Sequence, residues 1–143
     1  VPQVDRALEW GPQVAVIVIG ANDLTHLVPP VDAAASLGRA VRRLREAGVE
    51  VVVAPAPDLS MVPHVPAVMQ PIVRAASEDL RARQVRVVEE LGGLVADGDH
   101  ATSRAFADDR SLFSADRFHP SSAGYAVIAA AVLPVVTAAA ARV

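Results

Sequence analysis

Six consecutive apolar residues, Val14-Ala15-Val16-Ile17-Val18-Ile19, limit the fold more than any other stretch of this chain. Five of the six are valine or isoleucine, β-branched residues that pack well on a pleated surface. A strand with one wet face alternates apolar and polar residues, and this run does not. It therefore predicts a strand covered on both faces, the habit of parallel sheets. A second run of the same kind lies at Val49 to Ala54. Parallel neighbours need a crossover, and the segment between the runs supplies one. Leu37, Val41 and Leu44 recur at helical spacing, while Arg39, Arg42, Arg43 and Arg45 form a mostly solvated face. Asp32 is the expected N-cap of that helix, and Gly48 its terminator.

The rest of the chain continues the alternation. Pro2 to about Trp10 reads as a helix already under way, closed by Gly11-Pro12. Residues 20–31 read as a polar loop with a Pro29-Pro30 stop. Pro63, Pro66 and Pro71 keep the stretch after Ala54 irregular. Beyond Pro71, the residues Ile72, Ala76, Leu80, Val87 and Leu91 mark one side of a long helix, with Arg74, Glu78, Arg81, Arg83 and Glu89 elsewhere. Gly92-Gly93 stops it. Leu94 to Asp97 is a short strand, Thr102 to Asp108 one or two helical turns, and Asp108-Asp109 a solvated turn. Ser121 or Ser122 caps a final helix. Strand and helix in this order predict a single α/β domain over residues 1–143 with a parallel sheet. Such sheets gather ligands at the C-terminal ends of their strands. That end receives the loops 20–31, 55–66 and 97–120.

The chain has 143 residues, 52% of them hydrophobic, enough for one domain with a core. A net charge of -3 without any basic run argues against nucleic acid as a partner. With zero cysteines there is no disulfide, thiolate nucleophile or cysteine metal site, and the compartment stays undetermined. Residues 123–141 carry no charge and have the length of a membrane span. Alanine dominates them, Pro134 interrupts them and flanking basic residues are sparse, so a buried final helix is expected instead. The opening Val1-Pro2 falls mid-pattern, with Val4, Leu8 and Trp10 already on one helical face. We expect processing or truncation to have removed the true start.

Two loop motifs carry chemistry. In Asp116-Arg117-Phe118-His119-Pro120, an acid precedes a histidine by three residues. A carboxylate that turns back onto the ring fixes its tautomer and stabilises the imidazolium, and the neutral ring can then take a proton from a hydroxyl. In Gly20-Ala21-Asn22-Asp23, glycine permits a sharp exit from the first strand. Asn22 offers an amide N–H to a developing oxyanion, and Asp23 can brace the loop; a plain Asn-Asp turn is the simpler reading of the same residues.

Taken together, Gly-x-Asn-Asp after an early strand and Asp-x-x-His-Pro before the last helix resemble the SGNH/GDSL hydrolase family, in particular its actinobacterial esterase and lipase members. The tail Phe118-His119-Pro120-Ser121-Ser122-Ala123-Gly124-Tyr125 fits the same family, and the resemblance spans essentially the whole chain. It implies a three-layer α/β/α sandwich with a parallel, flavodoxin-like sheet. It also implies His119 as general base, Asp116 as its orienting acid, Asn22 as oxyanion donor and Gly20 as a backbone member of the same block. No metal or organic cofactor is required.

The sequence departs from the family at one place. The nucleophilic serine of the family lies in a Gly-Asp-Ser block after its first strand, and a second block supplies a glycine donor. Neither block occurs here. The serines are Ser36, Ser60, Ser77, Ser103, Ser111, Ser114, Ser121 and Ser122. None follows a strand-to-helix elbow, so none is assigned as nucleophile. The expectation is an N-terminally truncated domain whose serine lies upstream, inactive alone and prone to self-association through an exposed sheet edge.

Asp23, His26, Ser60 and Met61 are candidates for lining the cleft. Val62, Leu112 and Phe113 are candidates for contact with an acyl chain, and His64 for the border of the acyl site. His100 beside Asp97 and Asp99 hints at a metal, but the close histidine spacings of metal sites are missing. The resulting expectation is a serine ester hydrolase acting on a small-molecule, lipid or carbohydrate ester. An acyltransferase or carbohydrate deacetylase keeps the fold and changes the substrate, and a noncatalytic α/β interaction module is the reading from another class.

Overall fold

The computed structural model describes residues 2–98 and 100–143. Its elements run α1 (Pro2–Leu8), β1 (Val14–Val18), α2 (Ala21–Thr25), α3 (Pro30–Glu46), β2 (Glu50–Ala54), α4 (Gln70–Glu90), β3 (Leu94–Val95), α5 (Ala101–Asp108) and α6 (Ser122–Ala140). Short 3-10 turns at Leu59–Met61, Ala67–Met69 and Arg110–Leu112 punctuate the loops. The strands form one parallel sheet in the order β1-β2-β3, with Val14 opposite Glu50 and Val52 opposite Leu94.

The apolar runs are sorted to two faces by the period of two that a strand imposes. Val51 and Val53 pack with Leu37, Val41 and Leu44 of α3 and Val88 of α4. Val52 and Ala54 pack with Ala139, and Val132, Val135 and Val136 of α6 lie against them. Helices thus cover both faces of β2, whose Val51, Val52 and Val53 are fully buried. Truncating Leu37 or Leu80 to alanine would cost about 2–5 kcal/mol, the usual loss for a fully buried leucine.

β1 is covered less well. The Ile19 N–H donates to the Ala54 carbonyl at 3.2 Å, and the Glu50 N–H to Gln13 at 2.9 Å. By the alternation of a parallel ladder, Val14, Val16 and Val18 turn their backbone groups to the open side of the sheet. Val16 and Val18 are 46% and 68% exposed.

Several expectations are corrected. α3 starts at Pro30 with Pro29 as its cap, not at Asp32, which falls in the first turn. Proline is favoured at a first helical position because its missing N–H is not needed there, so the Pro-Pro pair begins a helix as well as ending a loop. Within the expected loop 20–31, five residues form α2. The buried side of α4 is Ser77, Leu80, Arg81, Gln84 and Val88, while Ile72 lies 62% exposed. Helix α6 is not buried: only Gly124 and Ala139 are, and Leu133 is 63% exposed. By length and composition α6 could cross a membrane, yet one side of it packs on the sheet.

Candidate functional site

The histidine loop is closed by its own backbone. Phe113 and Pro120 form an antiparallel bridge, and the Ser121 N–H donates to the Leu112 carbonyl at 2.7 Å. The Ser121 hydroxyl donates to the Ser111 carbonyl and accepts the Gly124 N–H, which makes Ser121 the cap of α6. Gly124 can approach this clasp only because it has no side chain: a Cβ there would lie 2.2 Å from the Leu112 oxygen. Inside the loop, Arg117 adopts a φ of 58°, which turns the chain back on itself.

That turn brings Asp116 under His119. The Asp116 Oδ2 lies 2.6 Å from the His119 Nδ1. The Asp116 Oδ1 accepts three hydrogen bonds, from the Ser114 hydroxyl at 2.7 Å and from the Phe118 and His119 N–H groups at 2.9 Å each. The bond from His119, then those from Ser114, Phe118 N–H and His119 N–H, hold the carboxyl well below the usual carboxylate range. Asp116 is therefore ionised at any ordinary pH. An ionised acceptor at Nδ1 calls for a proton on that nitrogen and leaves the Nε2 lone pair for other chemistry. The Phe118 ring meets the imidazole edge-on at 5.0 Å.

Gly20 caps α2 with a φ of 114°, a conformation that favours glycine. The Asn22 carbonyl accepts the His26 N–H, the Thr25 hydroxyl and a bond from the His26 ring at 2.8 Å. The Asn22 carboxamide has no partner among the described residues, so its N–H groups remain available. Asn22 and His119 line one cavity of about 410 Å³, together with Gly20 and Asp23. Its walls are largely apolar, with Met61, Val62, Phe106, Phe113 and Ile128 among them. The two motifs, far apart in sequence, thus face one opening at the C-terminal ends of β1 and β2.

Other expected lining residues fall elsewhere. His26 is turned into the α2 backbone and does not line the cavity. Ser60 is fully buried and does not line it either, because Asp58 draws the Ser60 N–H into a tight turn at 2.8 Å. His64 is exposed outside it, and Leu112 is buried beneath the loop. The Asp97, Asp99 and His100 group cannot be drawn together, because Asp99 lies outside the described residues. Ser103 is the one serine on the cavity wall, where its hydroxyl accepts the Asp58 N–H at 3.4 Å. Sequence reasoning missed the role of Ser114, whose only signal was a hydroxyl two residues before the acid.

Residues 1–127 match the model of the GDSL-like lipase/acylhydrolase family. The chain belongs to that family. A GDSL-like relative, the esterase Rv1075c of Mycobacterium tuberculosis, is 38% identical over 130 residues, which are 89% of this chain and 41% of the relative. The chain thus spans well under half the length of that GDSL-like esterase. Among solved structures, the α/β hydrolase LAE5 from the metagenome of Lake Arreo superposes with a TM-score of 0.69 at 22% identity, covering 90% of this chain and 61% of LAE5. Axe2, an acetylxylan esterase of Geobacillus stearothermophilus, gives 0.70 at 19% identity, covering 90% of this chain and 61% of Axe2. At these identities the likeness concerns the fold. Catalytic mutants of Axe2 have been made at a serine near its N-terminus, and at an aspartate three positions before a histidine.

Proposed function

We propose that this chain carries the base, the orienting acid and one oxyanion donor of a serine ester hydrolase, and that a segment outside these 143 residues supplies the nucleophilic serine. The observation that carries the reading is the Asp116–His119 pair at 2.6 Å on the wall of the cavity that Asn22 also lines. In the reaction, His119 Nε2 takes the proton of the serine hydroxyl as its oxygen attacks the ester carbonyl. Asp116 stabilises the imidazolium through Nδ1–H. The Asn22 carboxamide donates to the oxyanion of the tetrahedral intermediate, and one such donor lowers a barrier by about 3–4 kcal/mol. His119 returns its proton to the leaving alcohol. Water, activated by the same base, then releases the acid from the acyl-enzyme.

Two further observations support an external serine. The hydroxyl of Ser114 donates to Asp116, not to the histidine, and Ser103 accepts from the Asp58 backbone. β1 is an edge strand of the sheet, with Val16 and Val18 exposed and Asn22 just beyond its end. The spacing of the mutated aspartate and histidine in Axe2 matches that of Asp116 and His119, and its mutated serine lies near the start of a longer chain.

The test uses the complete polypeptide that contains this chain. A fluorophosphonate should label one serine outside the 143 residues, and His119→Ala should abolish both labelling and hydrolysis of a short aryl ester. Labelling at one of the eight serines present here would overturn the external nucleophile. A protein that neither labels nor hydrolyses would favour a noncatalytic module. A carbohydrate deacetylase is the second reading, motivated by the acetylxylan esterase activity named for Axe2; acetate release from acetylated xylo-oligosaccharides distinguishes it, and transfer to added sugar acceptors would mark an acyltransferase.

A further inference from the structure

Ala56, just beyond β2, is gripped at both of its backbone polar groups by side chains of α4. The Gln84 Oε1 accepts the Ala56 N–H at 2.8 Å, and the Arg81 Nη1 donates to the Ala56 carbonyl at 3.3 Å. The two side chains lie three residues apart on one helix face, 0% and 6% exposed. Arg81 also donates to the Asp97 carbonyl, which ties the loop after β2 to the loop after β3.

Gln84 is a costly residue for such a place. Its Nε2 is buried and has no hydrogen-bond partner among the described residues. A buried unpaired amide is destabilising, and a methionine of similar length would avoid that cost. A methionine would, however, leave the buried Ala56 N–H without its acceptor. What the carboxamide does, and a hydrocarbon cannot, is fix the Ala56 N–H.

Ala56 is in turn the surface on which Gly20 rests. A Cβ at Gly20 would lie 2.5 Å from the Ala56 Cβ and 2.6 Å from its Cα. Gly20 is the cap of α2, and Asn22 is the second residue of that helix. A helix of five residues has little stability of its own, so its placement depends on what its cap packs against.

We propose that Gln84, assisted by Arg81, is a positioning residue for the oxyanion donor: it holds Ala56, Ala56 seats Gly20, and Gly20 sets the Asn22 carboxamide in the cavity. This rests on the assignment of Asn22 made above. A donor displaced by about 1 Å loses much of its effect on the transition state.

The experiment is a double-mutant cycle in the complete polypeptide, read as hydrolysis of a short p-nitrophenyl ester. Gln84→Met should lower kcat roughly ten-fold and leave KM within about two-fold, because the donor acts on the transition state and not on ground-state binding. In an Asn22→Ala background the same change should have no further effect on kcat. Gln84→Asn, which keeps an amide but withdraws it by one methylene, should repeat the pattern and serves if Gln84→Met does not fold. Equal losses in both backgrounds, or no loss in either, overturns the role of Gln84 alone. An Asn22→Ala protein with unchanged kcat overturns the assignment of Asn22, and the positioning role falls with it.

Discussion

Asp116 grips His119 at both ends. One carboxylate oxygen lies 2.6 Å from the ring Nδ1, and the other accepts the backbone N–H of the same residue at 2.9 Å. The ring is therefore oriented relative to its own main chain, not only relative to a partner. His119 and Asp116 side chains are 64% and 51% exposed, so the value of the pair lies in geometry more than in stability.

Asp116→Asn should lower kcat/KM of the complete polypeptide by about two to three orders of magnitude, since the amide can present the wrong group to Nδ1 and lose the tautomer. Ser114→Ala removes one of the donors to Oδ1 and should cost much less, about two- to ten-fold. Steady-state kinetics on an aryl ester measures both. Equal losses for the two variants would count against the tautomer argument.

The pH dependence of stability follows from the same contacts. The bonds from His119, Ser114 and the two N–H groups favour the ionised carboxyl and depress the folded-state pKa of Asp116. The stabilisation is fully present above the unfolded value of about 4 and is lost as the pH falls toward the folded value. Thermal melting of wild type and Asp116→Asn should differ at about pH 5 and above. The difference should shrink below about pH 4. A difference that grew as the pH fell below about 4 would contradict the sign.

Gly20→Ala should damage both fold and activity. The residue has a φ of 114°, and an added Cβ would meet the Ala56 backbone. Backbone strain and overpacking together predict a loss of about 2–4 kcal/mol, read by urea unfolding. A variant as stable as wild type would show that the close approach of the two loops relaxes freely.

We expect the 143 residues alone to self-associate. The open side of β1 leaves Val16 and Val18 exposed beside unpaired backbone groups, and such edges pair with other chains. Analytical ultracentrifugation should detect oligomers, and Val18→Lys should reduce them, as charged edge residues do. A monodisperse monomer at high micromolar concentration would overturn the expectation.

The sequence alone determined the strands, the order of the longer elements and the residues of the two motifs, though not the five-residue helix α2. The apolar runs Val14–Ile19 and Val49–Ala54 admit few alternatives, and Asp116 to His119 is a local spacing that a turn can close without help from distant residues. The lack of a Gly-Asp-Ser block raised the expectation, also from sequence alone, that the nucleophile lies outside these residues. Other features were not legible because they depend on contacts between segments remote in sequence. Arg81 and Gln84 look like solvent residues of a helix until the loop after β2 is folded onto them, when unsatisfied backbone groups of Ala56 demand polar partners. Helix α6 looks like a core helix by composition, yet only one of its sides meets the sheet. His26 and Ser60 have the chemistry of cleft residues, but backbone hydrogen bonds within their own turns draw them away. Local pattern sets which element forms; which polar side chain is buried, and against what, is decided only when every backbone donor in the folded chain has to find its acceptor.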